Sequence, residues 1–182
     1  MPIPKFGVGG AGGGGGVEIF VEIDATPLRA SIKTLERKMG KMRVPLKQSV
    51  NYMTKNVITG RFRAGGIPRW KAHSPVTVKI HGPHPLLILT GSLFESATGG
   101  RGSYTYYSDK SVSFGSNVEY AEIHDKPRGT YTAVTMGKSG DYVLVPGRPW
   151  TDVTQENADH IRNILMNWTR QKLTESGFKG VM

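Results

Sequence analysis

The sequence predicts an α+β fold, with an antiparallel sheet packed against an N-terminal helical hairpin and a C-terminal helix. Three observations lead there. Apolar residues keep helical spacing in two adjoining stretches near the N-terminus and in one near the C-terminus. The β-rich runs lie between them. Turn signals separate those runs at hairpin distance rather than at the crossover distance of a parallel sheet.

Residues 1–16 end in the run Gly9 to Gly16, broken only by Ala11. Such a run buries no apolar surface and keeps maximal backbone freedom, so it reads as a flexible arm. It is no phosphate loop: no Gly-Lys-Ser/Thr follows, and it precedes a strand instead of joining strand to helix. A single domain is expected over 17–176, and a tail over 177–182. Val17, Ile19, Val21 and Ile23 alternate with Glu18 and Glu22 as in a half-buried strand that stops at Asp24. A helix follows, with Thr26 as cap, Pro27 at its first position and Leu28, Ile32, Leu35, Met39 and Met42 on one face. A second helix begins at Pro45 and carries Leu46, Val50, Met53 and Val57 as far as Gly60. The methionines are core filler.

From Phe62 to Leu93 the punctuation is dense: Gly65-Gly66, Pro68, Pro75, Gly82-Pro83 and Pro85 alternate with large anchors such as Trp70. No hydrophobic period is long enough for a helix, so the segment reads as a tethered loop. It ends in the apolar run Leu86–Leu89, of strand or short-helix length. Tyr104–Tyr107 and Val112–Phe114 read as two strands joined near Asp109. Val118–His124 reads as a helical turn or a strand. Tyr131–Met136 and Tyr142–Val145 form a basic hairpin that projects from about 126 to 144. Asp152-Val-Thr-Gln155 reads as a helix start. Ala158, Ile161, Ile164, Leu165 and Trp168 share one face of the helix that follows, and Gly177 ends it.

The net charge is +10, and no Asp or Glu occurs between Lys41 and Phe94. A single-sign block of that length attracts polyanions, although a solvated basic face without a partner has the same composition. There is no cysteine, so disulfides and thiolate metal sites are excluded, which fits a cytosolic origin. No run is long enough to span a membrane, and no export signal is visible at the N-terminus.

Catalytic, cofactor and metal residues are expected to be absent. His81-Gly-Pro-His84 has metal-like spacing, but Gly and Pro break the helix that would align both rings, and no carboxylate is near in sequence. His124 beside Asp125 suggests a base and its orienter, yet adjacent residues of an extended chain face opposite sides. Ser92 lacks a nucleophile-elbow pattern. Trp70, Trp150 and Trp168 could stack bases, but each reads better as packing.

Four pieces in order resemble the virion morphogenesis (tail completion) family of Mu-like tailed phages. The first is Phe62-x-x-Gly65-Gly66-x-Pro68-x-Trp70. The second is Thr77-x-Lys79 together with Leu89-Thr90-Gly91-x-Leu93. The third is Ser113-Phe-Gly115-Ser-Asn-Val-Glu-Tyr120-Ala121-Glu-Ile-His124, and the fourth Val145-Pro146-Gly-Arg148-Pro149-Trp150. They cover roughly residues 45–150. The chain departs from the family at Asp125, often Gln, at Gly147, Ala in the family, and in a longer insert between His124 and Val145.

The resemblance implies an antiparallel sheet packed on helices, without enzymatic activity. It also implies a role in the virion, at the head–tail junction or the head-proximal end of the tail, after assembly in the host cytoplasm. The expected partners are copies of itself in a ring, a hexamer by family resemblance, together with the tail tube protein and the head–tail connector. Double-stranded DNA would pass through the lumen, and no membrane is involved. Arg61, Arg63, Arg69, Lys71, Lys126, Arg128 and Lys138 are the basic candidates for interface or lumen. The alternatives are a head-side neck protein and a stand-alone basic nucleic-acid-binding module, for which no helix-turn-helix, zinc-finger, RNP or KH signature is present. A small hydrolase would need a site that the sequence does not show.

Overall fold

The computed structural model describes residues 5–10, 17–22, 26–136 and 141–178. The α+β class holds. In place of one sheet, the described strands form three two-stranded antiparallel ribbons: β1 (Lys5–Gly10) with β2 (Val17–Glu22), β3 (Ser103–Tyr107) with β4 (Val112–Ser116), and β5 (Tyr131–Met136) with β6 (Asp141–Pro146). Residues 5–10 of the expected arm therefore pair as a strand, whereas 11–16 and the 137–140 hairpin tip lie outside the described residues. The chain clusters into two compact units, one of Met1–Lys41 with Trp168–Met182 and one of Met42–Asn167, where the sequence suggests a single domain.

In the first unit, α1 (Thr26–Met39) starts and stops close to the expected positions. Its apolar face is less buried than the periodicity implies: Leu28 is 55% and Ile32 42% exposed. The final helix α7 (Gln155–Glu175) ends in this unit with Trp168 buried. Phe178 N donates to Leu173 O and Gly177 N to Thr174 O, both at 3.1 Å. With Gly177 at φ 92°, this is a Schellman end, which needs the left-handed conformation that glycine adopts at least cost. Lys38 Nζ lies 3.3 Å from the Glu175 carboxylate.

The second unit holds the core. The helix that starts at α2 (Arg43–Tyr52) does not stop at Gly60. It passes through a π turn (Met53–Ile58) into α3 (Thr59–Ala64). An interior glycine costs about 1 kcal/mol relative to alanine. Burial of Ile58, Arg61 and Phe62 on the same turns outweighs it. Thr59 ties the wide turn, since both its N–H and its hydroxyl donate to Thr54 O, the latter at 2.8 Å. The other end of α7 starts with a reciprocal cap two residues later than the expected Asp152: Asn157 N donates to Thr154 Oγ1 at 3.3 Å and Thr154 N to Asn157 Oδ1 at 3.2 Å. Tyr52 joins α2 to this turn, stacked on His160 at 3.9 Å between ring centroids.

The expected loop from Phe62 to Leu93 contains a further helix, α4 (Pro75–His81), and another, α5 (Ser92–Ala97), starts at its end. Pro75 is not a breaker; it occupies the first helical turn, and Ser74 Oγ accepts from Thr77 N at 3.1 Å as the cap. The run Leu86–Leu89 is neither strand nor helix but an irregular turn with Leu87 at φ 62°. Val118–His124 contains a short helix, α6 (Ala121–His124). In the β3–β4 ribbon Gly115 pairs with Tyr104, and a Cβ there would sit 2.7 Å from the Tyr104 hydroxyl. The glycine leaves room for the ring.

Ile58, Phe62, Trp70, Leu93, Ala97, Ala121 and Trp150 form one buried cluster. Phe62 is its centre. Trp70 meets it edge-on at 5.7 Å and Phe94 at 5.4 Å, with Trp150 tilted at 6.4 Å. Phe62→Ala should therefore destabilise the second unit by about 3–5 kcal/mol, measured by chemical denaturation. A loss below ~1 kcal/mol would remove Phe62 from the centre of the core.

Candidate interface groove

The four motif pieces are distant in sequence and adjacent in space. Helix α3 ends at Gly65, φ 69°, where Gly66 N donates to Arg61 O at 2.8 Å. The chain then folds back, and Trp70 N donates to Gly65 O at 2.7 Å. A Cβ on Gly66 would lie 2.6 Å from Trp70 Cγ, so the second glycine is the floor on which the tryptophan rests. Between them the Ile67–Pro68 peptide is cis. Gly-Gly-x-Pro-x-Trp thus encodes a reversal that delivers Trp70 to Phe62.

The fourth piece is pinned by Asp125. Its Oδ1 accepts from Trp150 N at 2.9 Å and from Thr151 N at 3.2 Å, and its Oδ2 from the Thr151 hydroxyl. Asp125 is therefore a clamp on the strand exit and not an orienter of His124. Trp150 Nε1 donates to Ala121 O at 3.4 Å. Gly147 fits for lack of a side chain: a Cβ would lie 2.3 Å from Pro127 O and 2.6 Å from Lys126 O.

The expected basic residues separate into different environments. Arg61 is only 2% exposed, donates to Asp152 O and lies 4.0 Å from the Asp152 carboxylate. Burial lowers its pKa, opposed first by Asp152 and then by Asp125. It is a core residue and offers no charge to a lumen. Lys71 sits over the Tyr131 ring and donates to its hydroxyl, Arg128 donates to Pro68 O, and Lys126 pairs with Glu122 at 2.8 Å. Arg63 and Arg69 are exposed, as is Lys79, whereas Lys138 lies outside the described residues. Arg148 belongs to the buried set. Its N–H donates to His124 O at 2.7 Å and its Nε to Lys71 O at 3.1 Å, which joins β6 to the segment after Trp70.

Beside this scaffold lies a groove of about 1030 Å³. Leu87, Leu89, Val134, Val143 and Leu144 supply apolar lining, and His73, His84, His124, Lys71 and Arg148 supply polar lining. Thr77, Thr90, Leu93, Tyr120 and Pro146 also reach it, and no carboxylate of the described residues does. The His73 and His84 rings lie 4.2 Å apart, and His81 meets His84 edge-on at 6.4 Å. Among the described residues, no cluster of three or more His, Asp or Glu could hold a metal ion. Ser92 Oγ is 3.0 Å from Thr90 Oγ1, a hydroxyl pair and not a nucleophile with its base. The groove thus combines apolar and basic lining residues, and Tyr131, Val143 and Leu144 of its lining are exposed.

The sequence does not reveal Arg148 and His124 as neighbours. Burial first, and the Arg148 charge second, depress His124 to a pKa of about 4. His73 is also lowered, by burial, then His84 and Arg148. The unfolded chain, with His124 near the ordinary value of 6.5, then binds more protons than the folded one between those values, so stability rises with pH there. It should be fully present above about pH 6.5 and fall toward about pH 4. His124→Gln should flatten this slope in denaturation measured across that window; an unchanged slope would place the titration elsewhere.

The model of the phage virion morphogenesis family matches residues 23–170 of the chain. Neither the curated proteins nor the solved structures compared with it gave a match. The family match spans both the buried motif scaffold and the groove walls, and the chain belongs to the phage virion morphogenesis family.

Proposed function

We propose that this chain is a non-enzymatic assembly protein at the head–tail junction, and that a ring of its copies caps the tail tube and receives the head connector. Family membership supports a structural role in the virion. The observation that carries the finer reading is the groove. An apolar cleft beside a projecting ribbon, with Tyr142 69% and Leu144 55% exposed, is costly for a protein that works alone. In a ring, every subunit presents one surface to its neighbour's different surface, so a cleft and a projection on one chain satisfy each other around the circle. The mechanism is then steric. The closed ring covers the last layer of the tube, stops further addition and offers its opposite face to the connector.

A head-side neck protein would use the same contacts, and imaging separates the two. In lysates of a phage that lacks the gene, overlong tail tubes beside filled heads are expected for a terminator. Tails of normal length beside unjoined heads would assign the chain to the neck. Normal infectious virions would overturn the assembly reading.

A charge on the projecting ribbon should separate assembly from folding. Leu144→Glu is expected to leave the melting temperature within a few degrees of the original while abolishing self-association in sedimentation velocity. Rings that persist in Leu144→Glu would move the subunit contact away from this ribbon.

A further inference from the structure

The exposed side of the long helix carries an independent feature. Arg43, Lys47, Lys55 and Arg63 are all exposed, and none of them lies in an ion pair with a described carboxylate. Other helical cations of this chain do: Lys38 and Lys172 with Glu175, and Arg162 with Asp159. Arg43 is held over the Tyr107 ring at 5.4 Å.

The π turn decides where these charges point. In a regular α-helix, positions sixteen apart such as Lys47 and Arg63 fall about 160° apart around the axis, on nearly opposite faces. The turn at Met53–Ile58 takes in an extra residue, with Thr59 N–H reaching back five positions to Thr54 O. That returns the angle to about 60°. Lys47, Lys55 and Arg63 then form a row on one face, roughly 24 Å long at about 1.5 Å per residue.

We propose that this row is a track for the phosphate backbone of double-stranded DNA. The inference rests on the virion role in the proposed function, but the contact itself is a property of the single chain. Over about 24 Å a duplex presents more than a dozen phosphates, one per roughly 1.7 Å of axis, so each cation finds a phosphate within reach of its side chain. Gln48, Asn51 and Asn56 are exposed residues between them, and amides of this kind also hydrogen-bond to phosphate oxygens. A protein interface would instead centre on aromatic or aliphatic anchors, and Val44 is the lone large apolar side chain exposed on this helix among the described residues. Among the described residues no aromatic side chain of this helix is exposed, so the contact to phosphates is independent of sequence.

The test uses the purified full chain and a duplex of about 30 base pairs and arbitrary sequence, with binding measured as a function of salt. The variant Lys47→Gln/Lys55→Gln/Arg63→Gln should bind at least about tenfold more weakly at low salt. The slope of log K against log[salt] should shrink by about 2–3, close to 0.9 per phosphate contact removed. Lys79→Gln/Arg101→Gln/Lys110→Gln removes the same charge from exposed positions outside this helix and should keep most of both affinity and slope. Single Lys55→Gln, with a slope change near one, gives the same answer should the triple variant fold poorly. Equal losses in the two triple variants, or no duplex binding by the original protein, would overturn the proposal. So would polyglutamate that displaces the row's ligand as well as DNA does at equal charge, which would mark a site for an acidic protein. These readouts need no ring and no lysate, so this contact and the tail reading can each fail without the other.

Discussion

The structure of the second unit depends on the ring of Phe62. It is buried to 1% exposure at the last turn of the long helix, and Trp70, Phe94 and Trp150 reach it from three separate parts of the chain. Each of these aromatics comes with its own device for arriving there. Gly65 and Gly66 turn the helix end back on itself for Trp70, the short helix α5 carries Phe94, and the Asp125 carboxylate fixes the backbone of Trp150 and Thr151. The family motifs are therefore the instructions for one core, written in separated pieces. Because aromatic side chains bury large areas and pack at defined angles, displacing one partner leaves the others without a wall.

Charge has several distinct uses in this chain. Arg61 and Arg148 place theirs inside, where burial lowers both pKa values and backbone carbonyls and Asp152 supply partners. Buried guanidinium groups need such fixed acceptors, and their planar donors span segments far apart in sequence. Lys71 bonds the Tyr131 hydroxyl on β5, and Arg128 bonds the Pro68 carbonyl. The exposed row on the long helix has no described carboxylate partner, and the π turn keeps it on one side. An acid-free stretch of sequence is thus divided by the fold into scaffold and surface.

The groove follows from the same construction. Its lining brings Arg148 and His124 together with the Leu87–Leu89 turn and residues of the β5–β6 ribbon. The core and the groove share residues, Leu93 among them, so the groove is anchored on the buried cluster. In the ring proposed above, a surface anchored in this way would need less ordering on binding.

The sequence by itself determined the elements whose signals are local. Helix α1, the ribbons β3–β4 and β5–β6 and the apolar face of α7 follow from period, propensity and turn chemistry within about ten or twenty residues. Helix α4 was also written locally, in Ser74 as cap and Pro75 at its start, but the neighbouring prolines and glycines obscured it. Only the tertiary structure decided the rest. It carried the helix through Gly60, because burial at Ile58 and Phe62 outweighs one glycine, and it opened the π turn that sets the angle of the basic row. It also made Asp125 a clamp, Arg61 a core residue and the cleft beside β6 a surface. In each case the partner lies far along the chain, and a preference read locally carries no information about which distant group will fill the space.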